Sequence, residues 1–362
     1  MDGSTRRDRR ASTEAEDAAA AAVSVWIVVA IHLDGRAHVR ELPDSFFTWW
    51  HLLLYSGVGA AFALLALMLV RGQPPGHARS AARLPSGYGW SGIGVLLLAA
   101  AGVSDLLWHS VFGVEEGIDA LLSPTHLLLF TGALLMFAGP IRADGATGRD
   151  PRQPWRIPAV LAAGSIAAVT GFALSYLSAF TTDAPLHAVL RFPEGTAEHT
   201  ATEIPAVAGL GSYVVTSLVL VVPLAVLVRR RPLPFGAATG YLGALAALAI
   251  TVQDFTRPGV VVAAVGAGLV VDIALAVATH RGSPATRTLT VGIAVPVTIW
   301  PAQLLALQVS EAGVNWSPEL VGGVVVASTL IAAATTATIA RPGLAESAST
   351  FRPSTPMNGV HR

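Results

Sequence analysis

The chain has 362 residues, a mean hydropathy of +0.59, 53% hydrophobic and 13% charged residues, and a formal net charge of zero. That balance excludes an ordinary soluble domain, and its apolar runs of about 20 residues match the roughly 30 Å hydrocarbon core of a bilayer. The basic residues are all Arg, spread over short loops, which excludes nucleic acid as a partner, and the lack of Cys excludes disulfides, Cys-ligated zinc and iron–sulfur clusters.

The expected fold is all-α: a polytopic integral membrane bundle of ten helices with the lipid bilayer as its surroundings. Residues 1–17, MDGSTRRDRRASTEAED, form a charged N-terminal segment. No small-residue cleavage site follows the next apolar stretch, so the first helix is read as retained. Spans are expected at 18–38, 47–70, 89–112, 124–141, 157–180, 203–228, 235–254, 259–279, 288–309 and 317–340. Residues 18–141 group as two similar hairpins, 142–340 as the remaining spans, and 341–362 as a disordered tail rich in Pro, Ser, Thr and Gly.

Arg sorts to one side of these spans. Arg6, Arg7, Arg9 and Arg10 precede the first; Arg71, Arg79 and Arg83, Arg142 to Arg156, Arg229 to Arg231, Arg281 and Arg287, and Arg341 follow the even-numbered ones. The opposite connections hold Glu115, Glu116, Asp119, Asp183, Glu194, Glu198 and Glu311. The positive-inside rule then gives a multi-pass protein of the cell membrane with both termini cytoplasmic.

Seven of the ten histidines fall at outer loops or outer helix ends: His32, His38, His51, His109, His126, His187 and His199. His77 and His280 lie on the inner side, and His361 is in the tail. Two outer hairpins share a pattern. One gives Asp34, His38 and His51, the other Asp105, His109 and His126, in the form D-x3-H-x(n)-H with n of 12 and 16. Each second His opens H-L-L-L-[YF]-[ST]-G, which points to an internal repeat of a helix–loop–helix unit. Positions i and i+4 share a helix face, so Asp105 and His109 can reach one ion together, as can Asp34 and His38 if their helix continues past Gly35. Ser123 and Pro124 are an N-cap and first-position pair that sets His126 in the first turn of the next helix. A two-His, one-carboxylate set suits Cu(II), Zn or non-haem Fe(II). Interface anchoring, helix capping and proton handling are the alternative uses of such residues. A third set, Asp183, His187 and His199, repeats the spacing, but Pro185 interrupts its first pair and no H-L-L-L follows.

The motif resembles the metal site in the C subunit of membrane copper monooxygenases, the methane and ammonia monooxygenases. Asp105, Trp108, His109, Pro124 and His126 match in residue type, Asp34, His38 and His51 match in spacing, and Phe47-Thr48 matches the pair before the last His. The resemblance implies copper near the outer face, and in that family the subunit acts beside other membrane subunits. It covers about 20 residues of each hairpin.

Elsewhere, Asp272 lies within the eighth span, as either a proton or cation step or a hydrogen-bonded group in a helix interface. Asp254 and Arg257 flank an outer turn and are read as a structural pair. Pro296 and Pro301 imply a kinked ninth span with Gln303 facing the bundle. Gly59 with Ala63 and Gly236 with Gly240 suggest close helix contacts. Three functions fit this pattern: an outer-face metalloprotein (a copper-oxidase-like enzyme or a subunit of one), a copper or zinc permease, and a non-metal transporter that uses the Asp/His clusters for protons.

Overall fold

A computed structural model describes residues 10–341 except 44, 46, 73–82, 114, 116 and 312. Arg6, Arg7, Arg9, His77, Arg79, Glu116 and the expected tail from 342, with His361, lie outside the described residues.

The described residues are helical, with no strand among them. The order is α1 (Glu14–Val39), α2 (Trp49–Arg71), α3 (Gly89–Phe112), the short α4 (Ile118–Leu122), α5 (Pro124–Phe137), α6 (Gly139–Ala146), α7 (Ile157–Ala173), α8 (Ala197–Arg230), α9 (Ala237–Thr251), α10 (Pro258–Arg281), α11 (Pro284–Ser310) and α12 (Pro318–Ala340). Eight helices are long and apolar enough to cross a bilayer, α5 and α6 counting together as Pro124–Ala146. The chain is therefore a multi-pass membrane protein.

Two expected spans are shorter than the sequence suggests. α7 has 17 residues and gives way to a 3-10 turn at Ser175–Leu177, and α9 has only 15 residues. The first helix, by contrast, starts earlier than residue 18. Thr13 accepts from the Glu16 N–H while the Glu16 carboxylate accepts from the Thr13 N–H, a capping box that draws Glu14, Glu16 and Asp17 into α1. Serine caps followed by proline start α5, α11 and α12, at Ser123–Pro124, Ser283–Pro284 and Ser317–Pro318.

α8 and α11 form the most enclosed pair. Tyr213 donates to Gln303 Oε1 at 2.8 Å, Gln303 Nε2 donates to the Ala179 carbonyl at 2.8 Å, and Trp300 Nε1 donates to Ser217 Oγ at 2.8 Å. Gln303 does face the bundle, and α11 runs through Pro296 and Pro301 as one helix. Leu52, Phe62 and Val70 of α2 and Ile93, Leu96 and Val103 of α3 are exposed, as expected of faces that meet lipid.

The helices approach most closely at glycines other than those the small-residue pattern suggests. Nothing lies within 4 Å of a Cβ built on Gly59, Gly236 or Gly240. The last glycine of each H-L-L-L-[YF]-[ST]-G stretch is packed instead. A Cβ on Gly57 would meet Ile27 at 2.8 Å, and one on Gly132 would meet Leu98 at 2.9 Å and the Gly94 carbonyl at 3.0 Å. Ile27 and Leu98 each stand seven residues before the aspartate of their hairpin.

Candidate metal centres

The first centre sits where α1 ends and α2 begins. α1 continues through Gly35 to Val39, because glycine there leaves room for a ring of α7: an added Cβ would lie 2.5 Å from Phe172 Cε2. Asp34 and His38 thus share a face, and His51, the third residue of α2, comes across to them. His51 Nε2 is 3.1 Å and His38 Nε2 3.8 Å from Asp34 Oδ1.

The second centre repeats this arrangement at the end of α3 and the start of α5. His109 Nε2 lies 3.3 Å from Asp105 Oδ2, and His126 Nε2 lies 3.6 Å from Asp105 Oδ1. The His rings stand 6.1 Å apart and tilted by 53° in the first centre, and 6.0 Å apart and tilted by 56° in the second. In each trio one donor atom per residue lies within 4.8 Å of the other two, and these are the only such Asp/His trios among the described residues.

The partners of the other ring nitrogens decide what the donors can do. His51 Nδ1 lies 2.8 Å from the Ser45 carbonyl, which can only accept, so Nδ1 carries the proton. In the neutral ring Nε2 then presents a lone pair to Asp34 Oδ1, a buried oxygen that makes no hydrogen bond. His109 is fixed in the same tautomer by the Gly113 carbonyl at 3.1 Å, with the Glu115 carboxylate 3.2 Å from the same nitrogen. In both centres, therefore, imidazole Nε2 atoms and a carboxylate converge on one point, as ligands to a cation in the neutral rings or as ion pairs in protonated ones. With one donor atom per residue within 4.8 Å of the others, the residues fit a metal ion.

Further contacts orient the set. The caps of α2 and α5 do this through hydroxyls three residues before the histidine: Thr48 Oγ1 lies 3.1 Å from His51 Nδ1, and Ser123 Oγ lies 2.8 Å from His126 Nδ1. Thr125 Oγ1 donates to Asp105 Oδ1 at 2.7 Å. The roles of Glu115, Thr48 and Thr125 escape the sequence pattern, although Thr48-x-x-His51 and Ser123-x-x-His126 are visible in it as a shared spacing. Ser123→Ala removes both a helix cap and a ring partner. Metal affinity of the second centre is expected to fall about tenfold, a drop that a chelator-competition titration measures directly.

The third set does not assemble. Asp183 and His187, both exposed, pair at 3.3 Å across a 3-10 turn, Ala184–Leu186, in which Ala184 and Pro185 are buried. His199 turns away to Glu203 at 3.3 Å. His32 also departs from expectation: it lies two turns inside α1 and is buried rather than at a helix end.

Asp272 is engaged. It accepts from the Ala238 and Thr239 N–H groups at 3.1 and 2.9 Å and from Thr239 Oγ1 at 2.7 Å, capping the start of α9 from the middle of α10. This matches the interface reading of that residue. Asp254 and Arg257 pair with other groups and not with each other. Asp254 binds Arg36 and, at 2.9 Å, Arg40, which ties the end of α1 to the α9–α10 turn. Arg257 donates to the Thr181 and Thr182 carbonyls and lies 3.7 Å from Glu311.

No protein-family model matches the chain, and no curated protein or solved structure matches it.

Proposed function

We propose that this chain is an integral membrane metalloprotein of ten crossings that holds one ion in each Asp/His/His trio. Both termini are cytoplasmic in this reading, and the trios open to the outer face, following the Arg distribution. α7 and α9 supply the two crossings beyond the eight long helices. The hairpins α1–α2 and α3–α5 are two copies of one unit, a reading supported by their matched ring geometry, cap hydroxyls and glycine contacts.

The observation that carries the proposal is the convergence of one donor atom from each of Asp34, His38 and His51 within 4.8 Å, repeated at Asp105, His109 and His126. Copper is the metal we assign, because two imidazoles and a carboxylate suit Cu(II) and the motif resembles the copper monooxygenase site; zinc and Fe(II) share the donors. Oxidation chemistry, by the chain alone or as a subunit beside others, follows from the resemblance. A permease that passes metal inward is the second reading. The capping role of Asp272 favours a resident ion over a transported one, because it removes that carboxylate from an inward path.

Metal analysis and EPR of the purified protein after reconstitution with Cu(II), zinc or Fe(II) test the proposal. Wild type should retain metal through dialysis, with a Cu(II) spectrum of mixed nitrogen and oxygen ligation. Retention of no metal above that of the His109→Ala and His126→Ala variants would overturn it, leaving the trios as imidazolium–carboxylate proton sites.

A further inference from the structure

A cavity of about 300 Å³ lies between α1, α4, α7, α8 and α9. Its lining is largely apolar and includes Ile118, Leu121, Phe172, Val219 and Leu245. Val39, the residue after His38, and Gly117, in the connection between His109 and His126, also line it, so both hairpins contribute to its wall. Its volume falls in the range of pre-formed small-molecule sites.

Among the polar side chains in the wall, His32 is the most deeply buried. His32 is 3% exposed, and its Nδ1 lies 2.8 Å from the Val28 carbonyl one turn back on α1. That carbonyl accepts only, so Nδ1 is the donor and Nε2 of the neutral ring is a lone-pair acceptor. Nε2 has no hydrogen-bond partner among the described residues. Phe172 packs against the ring at 5.1 Å in an edge contact and fixes its orientation. A lone pair with no protein donor on a ring that lines an apolar cavity is a ready anchor for a ligand that brings one donor.

We propose that this cavity binds a small neutral molecule with an apolar body and a single hydrogen-bond donor, an alcohol or a phenol, whose O–H donates to His32 Nε2. The site needs no metal and stands apart from the function proposed above.

The test is ¹⁹F NMR titration of the full chain in detergent, with a chelator present throughout, using 4-fluorophenol and its hydroxyl-free counterpart fluorobenzene. Wild type should bind 4-fluorophenol saturably and about fivefold to tenfold more tightly than fluorobenzene, the value of one hydrogen bond. His32→Leu should lower phenol affinity to the level of fluorobenzene and leave fluorobenzene unchanged. Gly171→Leu fills the cavity; a Cβ there meets Val219 at an ordinary 3.6 Å, so the side chain has room to enter, and both ligands should lose saturable binding. Equal wild-type affinity for the two ligands, unsaturable partition alone, or phenol binding that survives either substitution overturns the proposal. Should His32→Leu fail to fold, the wild-type comparison and Gly171→Leu decide it.

Discussion

His109→Ala is expected to lower the metal content of the reconstituted protein from two ions per chain to one, and His51→Ala to do the same. Each trio draws its donors from one hairpin alone, Asp34, His38 and His51 in α1–α2 and Asp105, His109 and His126 in α3–α5, so loss of one ligand leaves the other set whole. The combined variant should hold none. Asp105→Asn tests the electrostatic part: it keeps the shape but removes the charge that faces His109 Nε2 and His126 Nε2, and affinity of the second centre should fall by about a hundredfold, in the range of ligand-shell losses. Metal should also leave as pH falls, because protons compete for the same Nε2 lone pairs. Isothermal titration and metal analysis of the variants check these values. A single substitution that empties both centres would show that the ions share one site.

Asp272→Leu should be the most damaging substitution away from the metal centres, costing about 3 kcal/mol through the lost cap and the N–H groups left unpaired. Against a total stability of about 5–15 kcal/mol this is a large share. The physical reason is the position of α9. Its first turn lies against the middle of α10, where a Cβ on Gly268 would come within 2.5 Å of Thr239 Cα, so water does not serve its N–H groups. The Asp272 carboxylate takes that role for Ala238 and Thr239. Asp272→Asn keeps an acceptor and should lose about half as much. Thermal unfolding in detergent measures both, and copper content of the folded fraction should be unchanged. A variant with wild-type stability and lost metal would return Asp272 to an ion path.

Hydropathy and cap residues made much of the fold legible. Ser–Pro pairs mark three helix starts, and the long apolar runs mark the spans. The short α7 was not legible, because Ser175 to Phe180 carry no charge, Pro or Gly to mark a stop while the backbone leaves the α-helix, and α9 ends at Thr251, three residues before the expected Asp254. The D-x3-H…H spacing placed both trios on the correct helix ends, since an i, i+4 pair and a capped first turn are local properties. The weaker set, Asp183, His187 and His199, does not come together, because bringing His199 to the first pair depends on the path of a long connection, which spacing does not encode. Asp254 likewise pairs with Arg36 and Arg40, more than 200 residues away, rather than with its neighbour Arg257.

The two short helices have a consequence for the membrane itself. At about 1.5 Å per residue, α7 and α9 are near 26 and 22 Å long, below the roughly 30 Å of a hydrocarbon core. Both end at the cavity, beside Ser175, Ser178, Thr181 and Gln253. Beyond the cavity, α8 and α9 contribute an apolar layer to the buried core. That layer is built from Leu224 and Val228 of α8 and Leu242 and Ala246 of α9, all fully buried. In the ten-crossing reading proposed above, that band of side chains stands in for lipid as the insulation against ion leak, and small polar substitutions in it should raise the leak.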